Sequence, residues 1–296
     1  MKAIITGASG FVGRVLARRF PSGIALPLAG GDWRGALAGA DFSAATVFHL
    51  AARAHRGDDP EILLMQDNVD KTVALAEAAA SRGASRLVFL SSIKVNGEET
   101  GERAFQARDR EAPADAYASS KWAAERALGE IAARHGLEVV IVRAPLVIGD
   151  GARGNLQALM RIADTPYPLP FAALDNRRTF VHVEDLASLL VAAAASSQAP
   201  GRVFLAGHPD AVSTARLVRV MRQAFERPAR LVRVSARALE ALASIAGEEA
   251  GMRRLTRSLE VDAGDARQAL GWVAAIPMDD GISAMARAFR AARDAS

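Results

Sequence analysis

The chain has 296 residues, of which 50% are hydrophobic, and its formal net charge is +4. This composition is typical of a globular protein with a substantial core and excludes a disordered chain. The absence of cysteine excludes disulfides, thiolate metal ligands and a cysteine nucleophile. The N-terminus lacks the apolar core of a signal peptide, and the longest apolar run is about half the length that crosses a bilayer. These features predict a cytoplasmic protein without a membrane partner.

A glycine-rich turn follows the first predicted strand, residues 2–6. In a dinucleotide site, Gly7 would allow the tight turn, Gly10 the approach of the backbone to a pyrophosphate, and Gly13 the close packing of helix on strand. The helix predicted next, residues 12–20, would offer free N–H groups and its positive dipole end to the phosphates. The placement of the turn between strand and helix therefore predicts dinucleotide binding.

Strands and helices alternate along the following residues. This alternation predicts an α/β protein with a Rossmann-type doubly wound parallel sheet and right-handed crossovers. Further strands are predicted at residues 24–28, 46–51, 87–91, 139–142 and 202–205, and helices at 69–82, 117–135 and 185–195.

The pattern breaks after the fifth strand, and the end of the chain is predicted to be mostly helical. We therefore expect a smaller, mostly helical C-terminal substrate domain beside the Rossmann domain. The predicted division assigns residues 1–148 and 178–207 to the dinucleotide-binding domain, and residues 149–177 and 208–296 to the substrate domain.

Tyr117 and Lys121 are four residues apart in a predicted helix, so their side chains share one face. An ammonium beside a phenol favours the phenolate and lowers the phenol pKa from an ordinary value of about 10. Tyr117 is therefore a candidate proton-transfer group near neutral pH. The fourth strand brings Ser91 and Ser92 to the carboxyl edge of the sheet, where ligands bind in open α/β folds. The alternative for the pair is a packed tyrosine and a solvated lysine.

Several short motifs occur together in the order and spacing of the extended short-chain dehydrogenase/reductases, which the chain resembles. These are the NAD(P)-dependent nucleotide-sugar epimerases, dehydratases and reductases. The motifs are TGASGFVG (6–13), HLAA (49–52), Asn68-Val69, LSS (90–92) and YASSK (117–121). Segments 88–99, 140–155, 176–186 and 269–272 resemble one branch, which contains UDP-glucose 4-epimerase-like proteins and the 4-ketoreductases of UDP-linked deoxysugar pathways.

The resemblance implies a role for each matching residue. Tyr117 would be the general acid/base, Lys121 would hold the nicotinamide ribose and lower the tyrosine pKa, and Ser92 would hydrogen-bond the reacting hydroxyl or carbonyl. The implied substrate contacts are Ser92, Asn155, Arg178 and Arg254, the arginines because a guanidinium matches phosphate oxygens bidentately. The implied cofactor contacts are Gly7, Ser9, Gly10, Phe11, Val12, Gly13, Asp32, Leu50, Ala51, Ala52, Asn68, Tyr117 and Lys121.

The choice between NAD and NADP stays open because Asp32 has two interpretations. Asp32 lies 19 residues after Gly13, where an acid would bind the adenosine ribose and select NAD. Counted back from His49, it instead resembles a later aspartate of the family that sits by the adenine. The second βα unit is shortened, so only one interpretation holds. An aromatic residue of the family is also missing at Asn96 and at Ile148, which predicts a differently shaped sugar pocket.

The predicted reaction is NAD(P)-dependent hydride transfer at C4 of a nucleotide-diphosphate sugar, with a UDP sugar favoured. A UDP-glucose 4-epimerase-like activity is slightly preferred, and a 4-ketoreductase of a UDP-deoxysugar is the alternative because it would use the same residues. An alternative of another class is a non-catalytic dinucleotide-sensing protein with the same fold. The resemblance also implies a possible homodimer.

Two other site classes receive little support. The histidines (His49, His55, His135, His182 and His208) lack the spacing of metal ligands, so no metal site is expected. An arginine-rich run lies between residues 216 and 237, and its arginines alternate with apolar residues at helical spacing without interleaved aromatics. We interpret it as a solvated helix face, with a site for an anionic small molecule as the alternative, rather than as a nucleic-acid site.

Overall fold

The computed structural model describes residues 1–54 and 60–294. Within them, six parallel strands form the main sheet, and two further strands pair with each other beside it. The strands are β1 (Lys2–Thr6), β2 (Ile24–Leu26), β3 (Ala45–His49), β4 (Arg86–Ser92), β5 (Glu138–Ala144), β6 (Leu146–Ile148), β7 (Phe180–His182) and β8 (Val203–Leu205). The order in the main sheet is β2-β1-β3-β4-β5-β8, and β6 pairs with β7.

Helices connect these strands and continue beyond them. They are α1 (Phe11–Arg19), α2 (Trp33–Gly39), α3 (Glu61–Met65), α4 (Lys71–Ser81), α5 (Ala116–His135), α6 (Asn155–Ala163), α7 (Val183–Ala195), α8 (Thr214–Ala224), α9 (Ala236–Ile245), α10 (Glu249–Thr256), α11 (Gly264–Leu270) and α12 (Met278–Asp294). A π-helical turn, Gln66–Asp70, precedes α4, and a 3₁₀ turn, Ile93–Val95, follows β4.

The central strands read as continuous apolar runs because helices cover both faces of the sheet. On one face, Val15 and Leu16 of α1 and the apolar side of α7 pack against the sheet. On the other face, Leu75 of α4 and Leu128 of α5 pack against Val47 and its neighbours. This two-sided cover of a parallel sheet confirms the predicted Rossmann-type doubly wound α/β fold.

The predicted elements are present, and among the differences in their bounds are those of β2, α4 and α7. Strand β2 ends at Leu26 rather than residue 28, directly before Pro27, which has no N–H to extend the ladder. The helix predicted over 69–82 divides into the π-helical turn and α4. Helix α7 begins at Val183, two residues earlier than predicted, because the His182 side chain accepts a hydrogen bond from Glu184 N at 3.3 Å and caps it.

A second apolar core lies beside the sheet. It is formed by α6, α8 and α12 together with β7, and includes Leu159, Met221 and Ile282. Helix α11 and Trp272 instead pack on the core of the main sheet, where Trp272 Nε1 donates to Ser188 Oγ at 2.8 Å. The proposed domain boundaries stay a prediction.

The arginine-rich run is not a solvated face at its centre. Arg222 of α8 is completely buried, and it donates to Pro228 O at 2.7 Å and to Tyr167 O at 3.2 Å. Arg216 is paired with Asp210 at 2.8 Å. The prediction is wrong for Arg222 because helical spacing identifies a polar face but not the loops that pack on it.

Arg86 connects its own strand, β4, to the neighbouring strand β5 and to the C-terminal end of α7. Its side chain bonds Glu138 of the neighbouring strand β5, at 2.6 Å for the shorter of two contacts. One further guanidinium nitrogen donates to Ala193 O, Ala194 O and Ser196 O, at 3.0, 2.7 and 2.8 Å. These are carbonyls at the C-terminal end of α7, which have no partner within the helix itself.

We expect Arg86→Met to lower the free energy of unfolding by about 2–3 kcal/mol, because it leaves buried carbonyls unpaired. The matched control is Glu138→Gln, which keeps the carbonyl contacts and removes only a half-exposed charge. It should cost under about 1 kcal/mol. Urea unfolding measures both values. Equal losses in the two variants would show that the ion pair, and not the helix cap, is the stabilising contact.

Candidate active site

The glycine-rich turn forms a cradle that side chains would fill. Gly7 has φ +69°, and a Cβ at Gly13 would lie 2.0 Å from Gly7 O. Gly10 precedes α1 and no side chain caps the helix, so first-turn N–H groups remain for a ligand. These residues fit a dinucleotide pyrophosphate. Of the other residues predicted here, Ser9 lies in the turn, and Phe11 and Val12 begin α1.

The residues after β3 lie against the same turn. Leu50 N donates to Thr6 O at 3.3 Å, and Ala51 N donates to Thr6 Oγ1 at 3.2 Å. A Cβ at Gly7 would lie 2.7 Å from Ala51 N. The structure therefore brings together two predicted cofactor segments, the glycine turn and the residues Leu50, Ala51 and Ala52, at the carboxyl edge of the sheet.

Asn68 lies in the π-helical turn and is 1% exposed. Its Oδ1 accepts from Arg53 N at 2.7 Å, and its Nδ2 donates to Ser120 Oγ at 2.9 Å and to Arg53 O at 3.2 Å. The Ser120 hydroxyl in turn donates to Tyr117 O at 2.7 Å. Asn68 thus joins the segment after β3 to α5, and its predicted contact with the cofactor stays a prediction.

His49 occupies the end of β3 inside a directed chain of hydrogen bonds. Thr72 Oγ1 donates to Asn68 O at 2.7 Å, so it must accept from His49 Nε2, also at 2.7 Å. His49 Nδ1 then accepts from Thr6 Oγ1, at 2.7 Å. This pattern holds the imidazole neutral. Burial, with the nearby Lys121 charge as a second cause, lowers the pKa of His49 to about 3.

Helix α5 presents the tyrosine and the lysine at its N-terminal end. Asp115 caps the helix by accepting from Ala118 N at 2.7 Å, and Gly136 closes it with φ +72°. Tyr117 and Ser92 both line one cavity. Lys121 is 2% exposed, and its ammonium lies 3.8 Å from the centre of the Phe89 ring.

The predicted lowering of the tyrosine pKa is not what the structure shows. Burial, with the Asp115 charge as a second cause, raises the pKa of Tyr117 to about 12. Burial also lowers the pKa of Lys121 to about 7, against the opposing effect of Glu125. The spacing of the pair correctly indicated a shared face, but desolvation and the Asp115 charge determine the direction of the pKa shift of Tyr117. Tyr117 therefore holds its proton at neutral pH.

A buried ion pair behind the site was not predicted. Ser91 Oγ donates to Glu125 Oε1 at 2.5 Å, and Arg143 donates to Glu125 Oε2 at 2.6 Å. Arg143 also donates to Asn96 Oδ1 at 3.0 Å, which accounts for an asparagine where the family often has an aromatic residue. The sequence signal was a charged residue within the apolar strand β5, since a buried arginine needs an acidic partner.

The cavity has a volume of about 650 Å³ and holds the predicted substrate residues. Asn155 begins α6, and Arg178 and Arg254 lie on the wall. Burial, and the nearby positive charge of Arg254, lower the pKa of Arg178 to about 10. Two arginines on one wall, near enough for the charge of one to affect the pKa of the other, fit a polyanionic ligand. The cavity is also lined by charged residues that the sequence did not indicate, Lys94, Glu98, Arg153 and Glu248.

Asp32 lies six residues beyond the end of β2 and caps α2. Its carboxylate accepts from Gly35 N at 3.2 Å. Trp33 beside it lies near two cations, with Arg34 at 4.3 Å and Lys71 at 5.7 Å from the ring centre. The carboxylate thus has a structural partner, and its contact with a cofactor stays a prediction.

Two kinds of feature are absent from residues 1–54 and 60–294. No group of three or more potential metal ligands is close enough to hold an ion there, and His55 lies outside these residues. None of the helices in the same ranges is long and apolar enough to cross a membrane.

Residues 3–207 match the sequence profile of the NAD dependent epimerase/dehydratase family. The chain belongs to this family. The match covers the glycine turn, Asn68, the serine pair and the Tyr117–Lys121 helix. It confirms the predicted family, the prediction of an enzyme, and the predicted nicotinamide dinucleotide cofactor, NAD or NADP.

Two relatives from bacteria illustrate the range of the family. A UDP-glucose 4-epimerase of Vibrio cholerae is 36% identical over 249 residues, which are 82% of this chain and 76% of the relative. A UDP-2-acetamido-2,6-beta-L-arabino-hexul-4-ose reductase of Pseudomonas aeruginosa is 30% identical over 196 residues, 63% of this chain and 47% of the relative. An epimerase and a reductase of UDP sugars are therefore both similar to this member.

A solved structure agrees with the fold. The structure of RMD from Pseudomonas aeruginosa, complexed with NADPH, superposes with a TM-score of 0.79 and covers 99% of this chain and 100% of that one. The two sequences are 20% identical. The agreement extends over the C-terminal elements as well as the main sheet.

We expect the buried neutral His49 to make stability depend on pH. Its pKa is lower in the folded protein than in the unfolded one, so its contribution is complete above about pH 6.5 and is lost as the pH falls toward 3. Between about pH 7.5 and pH 5, wild type should lose about 2 kcal/mol more than His49→Gln, which does not titrate. Urea unfolding at the two pH values measures this difference. The same loss in both proteins would show that His49 does not cause it.

Proposed function

We propose that the chain is an NAD(P)-dependent hydride-transfer enzyme acting at C4 of a nucleotide-diphosphate sugar. The observation that carries the proposal is a single cavity lined both by Ser92 and Tyr117 and by Arg178 and Arg254. Hydroxyl groups for proton transfer and cations for a diphosphate therefore open on the same space. A sugar linked to a nucleotide through a diphosphate requires this combination.

The polar groups near Tyr117, where the sugar would bind, have different proposed roles. When bound, the nicotinamide dinucleotide donates or accepts the hydride. Tyr117 moves the proton of the C4 oxygen, and the Ser92 hydroxyl hydrogen-bonds that same oxygen and orients it. Tyr117 is protonated at neutral pH, which is the form that donates to a carbonyl. Lys121 is buried one turn further along the same helix, where it would hold the cofactor ribose.

The remainder of the cavity suits a nucleotide. Arg178 and Arg254 would bind the diphosphate, with Arg153 as a further cation on the wall. Apolar side chains such as Leu159 and Leu217 line the same space and would cover the base. Asn155, in the first turn of α6, would contact the nucleotide sugar.

An epimerase of UDP sugars is the first candidate within this reaction class. The Vibrio cholerae relative, over 82% of this chain, is named for the reaction at UDP-glucose. In such an enzyme the sugar would be oxidised at C4 and reduced from its opposite face, so the cofactor is regenerated within each turnover and has no need to exchange.

A 4-ketoreductase of a UDP-deoxysugar is the second candidate, and the adenosine side of the site favours it. Residues 24–31, which are β2 and the segment directly after it, contain no carboxylate. The next carboxylate, that of Asp32, caps α2 by accepting from Gly35 N. A free carboxylate in this place would bind the ribose 2′-hydroxyl and select NAD. We expect a site without one to accept NADPH, and a reductase must exchange its cofactor after every turnover.

The cofactor carried through purification should separate the two candidates. Protein purified without added cofactor is denatured, and the released nucleotide is identified by chromatography. Retained NAD would support the epimerase, which is then assayed with UDP-glucose, UDP-galactose and their N-acetyl forms. Empty protein that binds NADPH reversibly would support the ketoreductase, which is then assayed with 4-keto UDP sugars. Protein that binds neither dinucleotide would overturn the proposal.

Tyr117→Phe should lower turnover by about 10²–10⁴-fold, because it removes the proton-transfer group. Dinucleotide binding should be retained, since the glycine cradle is untouched. The matched control is Tyr167→Phe, which changes the second tyrosine of the chain, 71% exposed. Turnover at the wild-type rate in Tyr117→Phe would refute the mechanism. Dinucleotide binding by wild type without turnover of any nucleotide sugar would support the non-catalytic sensing protein.

Two further parts of the proposal concern the protein as a whole. We place it in the cytoplasm, because its cofactor and the proposed substrate are made and consumed there. We also propose that it assembles as a homodimer, as the family resemblance implies. Light scattering on the purified protein measures the mass, which should be twice that of the 31.2 kDa chain.

A further inference from the structure

Lys94 follows the serine pair and is held close to it. The 3₁₀ turn Ile93–Val95 continues directly from β4, and Ser92 Oγ accepts from Lys94 N at 3.3 Å. The Ser92 hydroxyl, which is proposed to orient the substrate, is therefore hydrogen-bonded to the backbone of Lys94. Lys94 also lines the substrate cavity beside Tyr117.

The ammonium of Lys94 lies between two carboxylates. It makes a short contact with Asp115 and a second with Glu98 at 2.9 Å. The side chains of Lys94 and Asp115 are 25% and 20% exposed, so the pair is partly sheltered from water. Charges in such a position interact more strongly than charges on an open surface.

Asp115 has two effects on the helix that carries Tyr117. It caps the helix by accepting from Ala118 N, which stabilises its first turn. It also places a negative charge two residues from the phenol, and this charge opposes phenolate formation by raising the pKa of Tyr117. The cap is thus useful to the helix and unfavourable to the ionisation of the tyrosine. A cation on Asp115 would reduce the second effect without removing the first.

The other charged groups around Tyr117 occupy different positions. Lys121 lies one turn further along the same helix, and Glu98 belongs to the loop after β4. Three arginines and one further carboxylate lie on the wall of the same cavity, namely Arg153, Arg178, Arg254 and Glu248. The contact with Asp115 distinguishes Lys94 from these groups, because it joins the charge next to the phenol to the strand that carries Ser92.

We propose that Lys94 is a positioning residue which acts through Asp115. It joins the Ser92 segment to the first turn of α5, and it neutralises the carboxylate beside Tyr117. Removal of Lys94 leaves Asp115 in place as a cap but without this counter-charge. The inference rests on the proposed role of Tyr117 as the proton-transfer group.

The test reads the ionisation of the tyrosine directly and needs no substrate. The chain has two tyrosines, so protein containing 3,5-difluorotyrosine gives separate fluorine NMR signals for Tyr117 and for Tyr167, the exposed internal reference. The fluorines lower the phenol pKa in every variant alike, which brings the titration into the range where the protein is folded. Circular dichroism checks folding at each pH.

Four variants separate the proposed role from a merely structural one. Lys94→Met should raise the titration midpoint of Tyr117, by up to about one pH unit, because it removes a positive charge that offsets the Asp115 carboxylate. Lys94→Arg should restore the wild-type midpoint. Asp115→Asn keeps a capping oxygen and should lower the midpoint. In the Asp115→Asn background, Lys94→Met should have no further effect.

An unchanged midpoint in Lys94→Met would overturn the proposal, as would an equal rise with and without the Asp115 carboxylate. If Lys94→Met does not fold, Lys94→Arg and Asp115→Asn carry the test, and a midpoint that does not fall in Asp115→Asn contradicts it. The proposed reaction is tested by a separate experiment, the turnover of Tyr117→Phe, so its failure can be distinguished from a failure of the proposal about Lys94.

Discussion

The geometry of the candidate site depends on a buried chain of hydrogen bonds that runs across the carboxyl edge of the sheet. It begins at Thr6 after the first strand, passes through His49 and Thr72, and reaches Asn68 in the π-helical turn. Asn68 then bonds Ser120 of α5. The side chains of Thr6, His49 and Thr72 each donate one hydrogen bond and accept one, so the imidazole at the centre must be neutral. The glycine turn and the helix that carries Tyr117 are thereby connected through buried hydrogen bonds.

The π-helical turn has a specific purpose in this chain. The Asn68 carbonyl accepts from the Thr72 hydroxyl, while the Asn68 side chain reaches both Arg53 and Ser120. Such irregular turns are frequent at functional sites, where they aim a group that a regular helix would misplace. Here the turn places an amide between the segment after β3 and the helix of Tyr117.

Burial of charge is the second feature that shapes the site. Arg143 and Glu125 are fully paired behind the serine strand, and Lys121 is buried within the same helix. Desolvation lowers the pKa of Lys121 and raises that of Tyr117, and thus brings both side chains toward their neutral forms. In the proposed mechanism, proton transfer by Tyr117 would therefore depend on the charges that remain close to the phenol, of which Asp115 is one.

Local patterns in the sequence were sufficient for much of this protein. The glycine spacing, the apolar strand runs and the interval between Tyr117 and Lys121 predicted the sheet, the cradle and the shared helix face. Each of these depends on neighbours within about one helical turn or one βα unit, and short-range geometry follows from residue type. The motif order was equally sufficient for the family.

The tertiary structure alone decided the electrostatics and the partners. The sequence predicts that Lys121 lies near Tyr117, but it does not predict how far the two side chains are buried. Burial reverses the expected direction of the pKa shift of Tyr117. Likewise, the helical spacing of Arg222 did not reveal the loops that bury it, and no local pattern joins Lys94 to Asp115, 21 residues apart. Burial and ion pairing depend on segments distant in the chain, so only the packed fold determines them.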